Sequence, residues 1–282
     1  MLRPFGSIRL ILFDAFDTLV QPVTPPFQQY AEEARKAGLG LSDENVAKAF
    51  KQAFRSLSTS HPNYGLDTGL TSPDEWWRLV ISETFDPSHH PPPHPVTQSQ
   101  FERLVPGIAN RLVRRFGTRY AYRLFPDVAP ALTLLSRRGI KMALATNSDS
   151  RILQVLSEFN MDRFIDLDYQ HAKYHHRGGG GPTLSYFQRC QKPDPRFFHA
   201  AVQRNSNGPI EGQGVLYVGD QVFEDFWGAK DAGLEAVWLD RQGERHQPPM
   251  PAGDQARGTP EELETLRQRT IHDLVQLVEL VT

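Results

Sequence analysis

The clearest pattern along the chain is a set of short, mostly apolar runs that end in polar or acidic residues. Ile8–Phe13 is followed at once by Asp14, and runs of the same kind fall within residues 140–149, 214–221 and 235–240. Such runs are typical of parallel strands that are buried on both faces. The pattern therefore predicts a sheet whose strands end in polar side chains.

Patterns of helical period separate these runs. They cover Val128–Arg138, Ser150–Phe159, Pro195–Arg204, Glu224–Ala232 and Glu261–Arg269. Strands that alternate with helices of this length indicate an α/β fold with a doubly wound parallel sheet, a Rossmann-like core. In such sheets, ligands bind at the carboxyl ends of the strands. We therefore expect functional residues where the apolar runs end.

A block of helical patterns interrupts the alternation after the first strand. It spans residues 21–124, with helices predicted over Phe27–Ala37, Ser42–Leu57, Ser72–Phe85 and Gln100–Phe116. We predict that residues 1–20 and 125–282 form the α/β core and that residues 21–124 form an inserted all-helical unit. Two stretches rich in proline or glycine, residues 86–96 and 171–183, are predicted to be loops.

Composition excludes several classes of protein. The chain has 39% hydrophobic and 23% charged residues, which is typical of globular proteins. With 31 basic against 33 acidic residues, charge gives no argument for a nucleic-acid partner. No run approaches the roughly 18 apolar residues that a membrane span requires. The single cysteine, Cys190, fits a reducing compartment, and the N-terminal run lacks a signal-peptide cleavage site, so we expect a cytoplasmic protein.

Residues suited to phosphate chemistry fall at or beside the strand ends in a fixed order. They are Asp14 to Leu19, then Thr146-Asn147-Ser148, then Lys192 within Gln191 to Pro195, then Gly219-Asp220 followed by Glu224 and Asp225. A strand-end carboxylate can attack the phosphorus of a phosphate group. Because the carboxylate and the phosphate are both negative, they repel each other, and a hard divalent ion held between carboxylates offsets this repulsion. Thr146 and Lys192 have side chains that bind phosphate oxygens. Glu224 is better explained as an acid that favours a helix N-terminus than as a ligand.

This ordered set resembles the haloacid dehalogenase-like hydrolase superfamily. The pattern of that superfamily is Asp-x-Asp-x-Thr, then a strand-end Ser or Thr, then Lys, then Gly-Asp with a second acid. Two further segments resemble those of the superfamily, Lys192-Pro193-Asp194-Pro195 and Gly228–Leu234. Within the superfamily, His61–Trp77 is similar to a segment of the haloacid dehalogenase-like hydrolase domain-containing protein three group. The resemblance identifies the helical insertion as the cap of such enzymes.

The resemblance implies a role for each matching residue. Asp14 is the expected nucleophile and Mg²⁺ is the expected cofactor. The expected substrate is a small phosphorylated molecule. The implied metal ligands are Asp14, the backbone carbonyl of Phe16, Asp220 and Asp225. Lys192 is the implied catalytic lysine, and the implied phosphate-binding residues are Thr146, Asn147 and Thr18. Thr18 also orders the nucleophile loop, and Asn147 either holds its loop or contacts substrate.

The main departure from the superfamily pattern is Phe16. Phosphatases of this kind carry a second aspartate at that position, which protonates the leaving group and then activates water. Loss of a general acid–base costs about 10² to 10⁴ in rate. Asp17 lies one residue further on and is a poor replacement unless the loop bends, because a one-residue shift in a strand turns the side chain to the other face.

The sequence is compatible with three functions. The first is a Mg²⁺-dependent phosphatase with a phospho-Asp14 intermediate. The second is a metal-independent 2-haloacid dehalogenase, which Phe16 favours, since such enzymes carry an aromatic residue there, and which Asp220 argues against. The third is a binding or scaffold protein with a catalytically weak site.

Overall fold

The protein is described by a computed structural model that covers residues 4–90, 96–174, 179–206, 214–243 and 258–281. Within it the chain forms two compact units. One comprises Met1–Gln21 with Leu124–Thr282, and the other comprises Pro22–Arg123. The predicted fold class is confirmed, because the first unit is a parallel sheet flanked by helices and the second is helical.

The first unit is built on a six-stranded sheet in the order β5-β4-β1-β6-β7-β8, in which every described strand pair is parallel. The strands among the described residues are β1 (Leu10–Phe13), β2 (Val20–Pro22), β3 (Tyr122–Leu124), β4 (Lys141–Thr146), β5 (Thr183–Leu184), β6 (Val215–Gly219), β7 (Glu235–Leu239) and β8 (Thr270–Ile271), of which β2 and β3 form a separate two-stranded sheet. Phe13 in β1 lies opposite Leu144 in β4 and Val218 in β6. The carboxyl ends of these three neighbouring strands therefore lie side by side.

Four of the six strands correspond to the predicted apolar runs, and the two edge strands do not. β5 and β8 are only two residues long, which is too short for a hydrophobic pattern to show. Their place in the sheet is set by pairing with β4 and β7, which the local sequence does not record.

The two stretches predicted as loops contain short regular elements. Thr183 of β5 and His171–Lys173 of a helix lie in the glycine-rich stretch, so that prediction is wrong at both of its ends. Pro87–His89 forms a single 3-10 turn in the proline-rich stretch. Residues 91–95 and 175–178, the middle parts of the two stretches, lie outside the described residues.

Helices cover the sheet of the first unit. They are α5 (Val128–Arg137), α6 (Arg151–Ser157), α7 (Tyr169–Lys173), α8 (Ser185–Gln188), α9 (Pro195–Asn205), α10 (Gly228–Asp231), α11 (Pro260–Gln268) and α12 (Leu274–Leu280). Leu10 and Leu12 pack with Phe197 of α9 and Tyr217 of β6 in one buried cluster. The chain between β6 and α10 departs from the prediction, since Val222–Trp227 forms a π-helical segment and not the start of an α-helix.

The helical unit contains α1 (Pro26–Lys36), α2 (Asp43–Ser60), α3 (Pro73–Thr84) and α4 (Gln98–Phe116). The hydroxyls of Ser42, Ser72 and Thr97 each accept a hydrogen bond from a backbone N–H of the first turn, so the predicted helix starts are confirmed to within two residues. Tyr30 and Phe85 lie in the core of this unit. Among the described residues, no helix is both long and apolar enough to cross a membrane.

Candidate active site

Residues predicted to form the site lie around the carboxyl ends of β4, β1 and β6. Asp14 directly follows β1, and its N–H donates to the carbonyl of Val218 in β6 at 2.9 Å, so the parallel ladder extends to this residue. Thr146 is the last residue of β4 and is buried, and Asp220 directly follows β6. Lys192 lies in the segment that leads into α9. The sheet register thus explains why residues distant in sequence share one site.

A buried lysine joins two of the carboxylates. The ammonium of Lys192 donates to Oδ1 of Asp14 at 2.7 Å and to Oδ1 of Asp225 at 2.5 Å. Lys192 is 3% exposed and Asp225 is fully buried. Although burial opposes the charge of Lys192, the negative charges of Asp14 and Asp225 raise its pKa well above the usual value. Lys192 is therefore a fixed cation beside Asp14.

Three carboxylates form an acidic cluster. One oxygen each of Asp14, Asp220 and Asp225 lies within 4.8 Å of the others. Burial, together with the charges of Asp14 and Asp225, raises the pKa of Asp220 to about 8. Since Lys192 supplies a single positive charge, the cluster has excess negative charge that a divalent cation would offset. A donor set made only of oxygen atoms fits a hard ion such as Mg²⁺.

The π-helical segment holds Asp225 in the cluster. Oδ2 of Asp225 accepts a hydrogen bond from the backbone N–H of Gln221 at 2.9 Å, and the N–H of Asp225 donates to the Gln221 carbonyl, also at 2.9 Å. A Cβ added to Gly219 would lie 2.2 Å from Oδ2 of Asp225. The glycine therefore makes room for the carboxylate at the end of β6.

The loop after Asp14 turns back on itself. Asp17 has a φ of 52°, in the left-handed region, which aspartate tolerates better than most residues. The N–H of Val20 donates to the Ala15 carbonyl at 3.0 Å, and the N–H of Asp17 donates to the Val20 carbonyl at 2.8 Å. Phe16 is half-buried and Asp17 is exposed. The loop does bend at Asp17, which is the condition under which Asp17 becomes a better replacement for the missing acid.

Thr18 is fully buried in this loop. Its Oγ1 finds no hydrogen-bond partner among the described residues, while its carbonyl oxygen accepts from Nη2 of Arg241 at 2.6 Å. Leaving a buried hydroxyl without a partner costs free energy, and a bound group that accepted a hydrogen bond from Oγ1 would remove that cost. The phosphate-binding roles of Thr18 and Thr146 stay predictions.

Asn147 contacts protein on both sides of its amide. Its Oδ1 accepts from the N–H of Lys192 at 2.8 Å, and its Nδ2 donates to the Lys192 carbonyl and to Oε2 of Glu224, each at 3.1 Å. Burial raises the pKa of the Glu224 carboxyl. Of the two possibilities for Asn147, loop holding and substrate contact, these contacts favour the first.

Two residues beside the site, Tyr217 and Trp238, belong to no motif in the sequence. The Tyr217 hydroxyl donates to the carbonyl of Ala145 at 2.6 Å, and its ring centroid lies 5.4 Å from the Lys192 ammonium. The indole N–H of Trp238 donates to the Asp220 carbonyl at 2.7 Å. Tyr217 sits inside an ordinary apolar strand pattern, as does Trp238, so neither stands out from the residues that only fill the core.

Comparison with known proteins shows the class to which this fold and site belong. The family model of the haloacid dehalogenase-like hydrolases matches residues 8–233, which is most of the chain. The chain belongs to this family of hydrolases.

Individual proteins of the family are similar over nearly the whole chain. The mouse haloacid dehalogenase-like hydrolase domain-containing protein 3 is 29% identical over 230 residues, which are 82% of this chain and 81% of the mouse protein. A dehalogenase crystal structure superposes with a TM-score of 0.62 at 20% identity, covering 98% of this chain and 97% of that one. The haloacid dehalogenase-like hydrolase YfnB of Bacillus subtilis, bound to magnesium, superposes with a TM-score of 0.59 at 17% identity, covering 98% and 100%. The structural neighbours include both dehalogenases and phosphatases, so their shared fold does not choose between the two reactions.

Proposed function

We propose that the protein is a Mg²⁺-dependent phosphatase that hydrolyses a small phosphorylated metabolite through a phospho-Asp14 intermediate. The observation that carries the proposal is the oxygen cluster of Asp14, Asp220 and Asp225 with Lys192 bound into it. A metal-independent reaction at carbon has no use for Asp220, whose carboxyl is difficult to ionise in this cluster without a cation.

Asp14 is positioned to act as the nucleophile. Lys192 holds one of its oxygens, Oδ1, while the backbone N–H of Asp14 is tied to β6, so the carboxylate has a fixed direction. The other oxygen attacks phosphorus, the P–O bond to the ester oxygen breaks, and an acyl phosphate forms on Asp14. A water molecule then attacks the phosphoryl group, which restores the carboxylate and releases inorganic phosphate.

The remaining residues counter the charge that builds up in these two steps. Bound Mg²⁺ would be held by Asp14, Asp220 and the Phe16 carbonyl, with Asp225 in support, and it would reduce the repulsion between the phosphate and Asp14. Lys192 contributes a second positive charge in a buried place, where its field is little screened. The hydroxyls of Thr18 and Thr146, with backbone N–H groups of the loops, are assigned to the phosphate oxygens.

We assign substrate selection to the helical unit. Residues 21–124 are proposed to be the cap and residues 1–20 with 125–282 the catalytic core. The absence of a carboxylate at Phe16 limits the rate at which a poor leaving group departs, because no side chain at that position donates a proton. The proposed activity is consequently slow toward alkyl phosphates.

A second candidate function rests on Phe16 itself. An aromatic side chain at this position suits a dehalogenase, in which Asp14 would attack carbon and displace halide. In that reaction the metal-binding acids have no role, so chelation would not affect it.

One experiment separates these functions. The purified chain is incubated with a panel of phosphate esters and 2-haloacids, with Mg²⁺ or with excess chelator, beside Asp14→Asn. We expect phosphate release that requires both Mg²⁺ and Asp14. Halide release that survives chelation would replace the phosphatase with the dehalogenase. Neither product, together with no Mg²⁺ binding, would favour a binding or scaffold protein.

A further inference from the structure

The amide of Asn147 has no donor left for a ligand. A primary amide carries two N–H donors and one acceptor oxygen. Nδ2 uses its donors on the Lys192 carbonyl and the Glu224 carboxylate, and Oδ1 accepts from the Lys192 N–H. A phosphate oxygen needs donors, and the remaining lone pair of Oδ1 would repel it. Both donors of the Asn147 side chain are thus used by protein groups, and none is left for a phosphate oxygen.

The same contacts fix Lys192 at its backbone. Both backbone polar groups of Lys192 bond to one side chain, while its ammonium bonds to Asp14 and Asp225. A lysine side chain has a flexible four-carbon stem, so the direction of its charge depends on where its Cα is held. The Asn147 amide holds the Cα end and the two aspartates hold the other end.

Glu224 completes this arrangement from a third element. It lies beside Asp225 in the π-helical segment, and its Oε2 accepts from Nδ2 of Asn147. The segment that positions Asp225 therefore also orients the amide that positions Lys192. A carboxylate at residue 224 admits only the orientation in which the amide nitrogen faces it, and this leaves Oδ1 facing the Lys192 N–H.

We propose that Asn147 and Glu224 form a positioning pair that sets the place of the Lys192 ammonium over Asp14, and that neither side chain contacts substrate. The proposal deepens the proposed phosphatase function and rests on it. It assigns a role to Glu224, which is otherwise only an acid at the start of a helical segment, and it removes Asn147 from the substrate-binding residues.

A double-mutant cycle tests the pair. Asn147→Asp replaces the amide nitrogen by an oxygen of the same size, which then faces the Lys192 carbonyl and the Glu224 carboxylate without a proton to share. Glu224→Gln in the same chain returns a donor to this contact. All four proteins of the cycle are measured at the same pH.

We expect Asn147→Asp to lower kcat by about 10- to 100-fold with KM changed by less than about threefold, since Lys192 loses its support while substrate contacts stay. Glu224→Gln alone should lower kcat less than Asn147→Asp does, because the glutamine oxygen can still accept from Nδ2 of Asn147, and the double variant should recover at least about fivefold over Asn147→Asp. A large rise in KM for Asn147→Asp, or single effects that simply multiply, would overturn the proposal.

A matched control separates positioning from general destabilisation. Asn205 is also buried and also donates from Nδ2 to two protein carbonyls, those of Gly181 and Ala201. Asn205→Asp should lower the melting temperature and leave kcat per folded molecule within about twofold. A comparable loss of kcat in Asn205→Asp would mean that the effect at Asn147 is merely structural.

Failure of the proposed function is distinguishable from failure of this pair. If the wild-type chain hydrolyses no phosphate ester, the phosphatase proposal is lost. The cycle is then measured in the melting temperature, where recovery in the double variant supports the pair and additive losses overturn it.

Discussion

Nη2 of Arg241 and the carbonyl oxygen of Thr18 are joined by a hydrogen bond of 2.6 Å, which fastens the loop after Asp14 to the chain that leaves β7. The guanidinium also donates to both carboxylate oxygens of Asp127 from Nη1 and stacks 3.7 Å from the ring centroid of Phe125. Arg241 thus serves the nucleophile loop without belonging to any motif found in the sequence.

Arg241→Met should destabilise the chain and slow catalysis. The substitution leaves the Thr18 carbonyl without this donor and removes the cation beside Asp127, in a pair whose side chains are only 13% and 12% exposed. Breaking a largely buried pair on one side costs about 3 to 5 kcal/mol, with less expected here because Asp127 keeps the N–H of Leu274. Urea unfolding measures the loss, and kcat reports the loop.

Arg35→Met provides the control for this substitution. Arg35 pairs with Asp43 at 2.6 Å, but the two side chains are 47% and 42% exposed. Exposed pairs contribute about 0 to 1 kcal/mol, so the control should unfold almost like the wild type. Equal losses in the two variants would show that the contact with Thr18 has no special weight.

Asp220→Asn should stabilise the metal-free protein while abolishing Mg²⁺ binding. In the metal-free site the pKa of Asp220 is about 8, above its unfolded value of about 3.9. The folded state therefore holds this proton more tightly, and the resulting stability is full below a pH of about 4 and lost as pH rises to about 8. An amide at this position does not titrate, so the gain of the variant over wild type should grow from a pH of about 5 to about 8 and then level off.

Thermal unfolding with chelator at several pH values measures that gain, and calorimetry measures Mg²⁺ binding. Wild-type affinity should increase with pH up to about 8, because the ion displaces the Asp220 proton. A variant that is less stable than wild type at every pH would contradict the repulsion that we assign to the acidic cluster.

Much of the fold could be predicted because the central strands are buried on both faces. β1, β4, β6 and β7 appear as continuous apolar runs, and a serine marks the starts of α2 and α3 in the helical unit. The edge strands could not be predicted, since two residues carry no period. Nor could the π-helical segment, because its spacing differs from that of an α-helix by a single register step.

Some residues of the site could likewise be predicted from the sequence, and some of its contacts could not. Asp14, Lys192 and Asp220 stand in a recognisable order, so the sequence alone predicts their meeting. The contact of Arg241 with Thr18 spans 223 positions, and that of Asn147 with Glu224 spans 77. Such contacts depend on where the folded strands place their ends, and no local pattern encodes them.

Gly219→Ala should disorganise the acidic cluster. An added Cβ would lie 2.2 Å from Oδ2 and 2.7 Å from Cβ of Asp225, and a fully buried side chain cannot simply turn away. Moving Asp225 would weaken its bond to Lys192, and we expect at least about a tenfold loss of Mg²⁺ affinity with a stability loss of about 1 to 3 kcal/mol. Calorimetric titration with Mg²⁺ checks the first effect and urea unfolding the second.

Gly40→Ala is the matched control, because nothing lies within 4 Å of a Cβ at that position and its φ is not in the left-handed region. It should bind Mg²⁺ like the wild type. Unchanged Mg²⁺ affinity in Gly219→Ala would mean that Asp225 is not part of the metal site.

Phe16→Asp should raise phosphatase turnover, and the gain should depend on the leaving group. An alkoxide is a poor leaving group that needs a proton, whereas 4-nitrophenolate departs without one, so a new carboxyl at residue 16 helps alkyl phosphates more. We expect kcat/KM to rise by about tenfold or more for an alkyl phosphate and by less than about threefold for 4-nitrophenyl phosphate. Asp17→Asn tests the other acid that the bend of the loop offers, and because the Asp17 side chain is exposed we expect both substrates to stay within about threefold of wild type. If Asp17→Asn instead lost activity selectively toward the alkyl ester, Asp17 would be the general acid in place of Phe16. An equal or lower rate in Phe16→Asp for both esters would contradict the view that this strand end lacks only a proton donor.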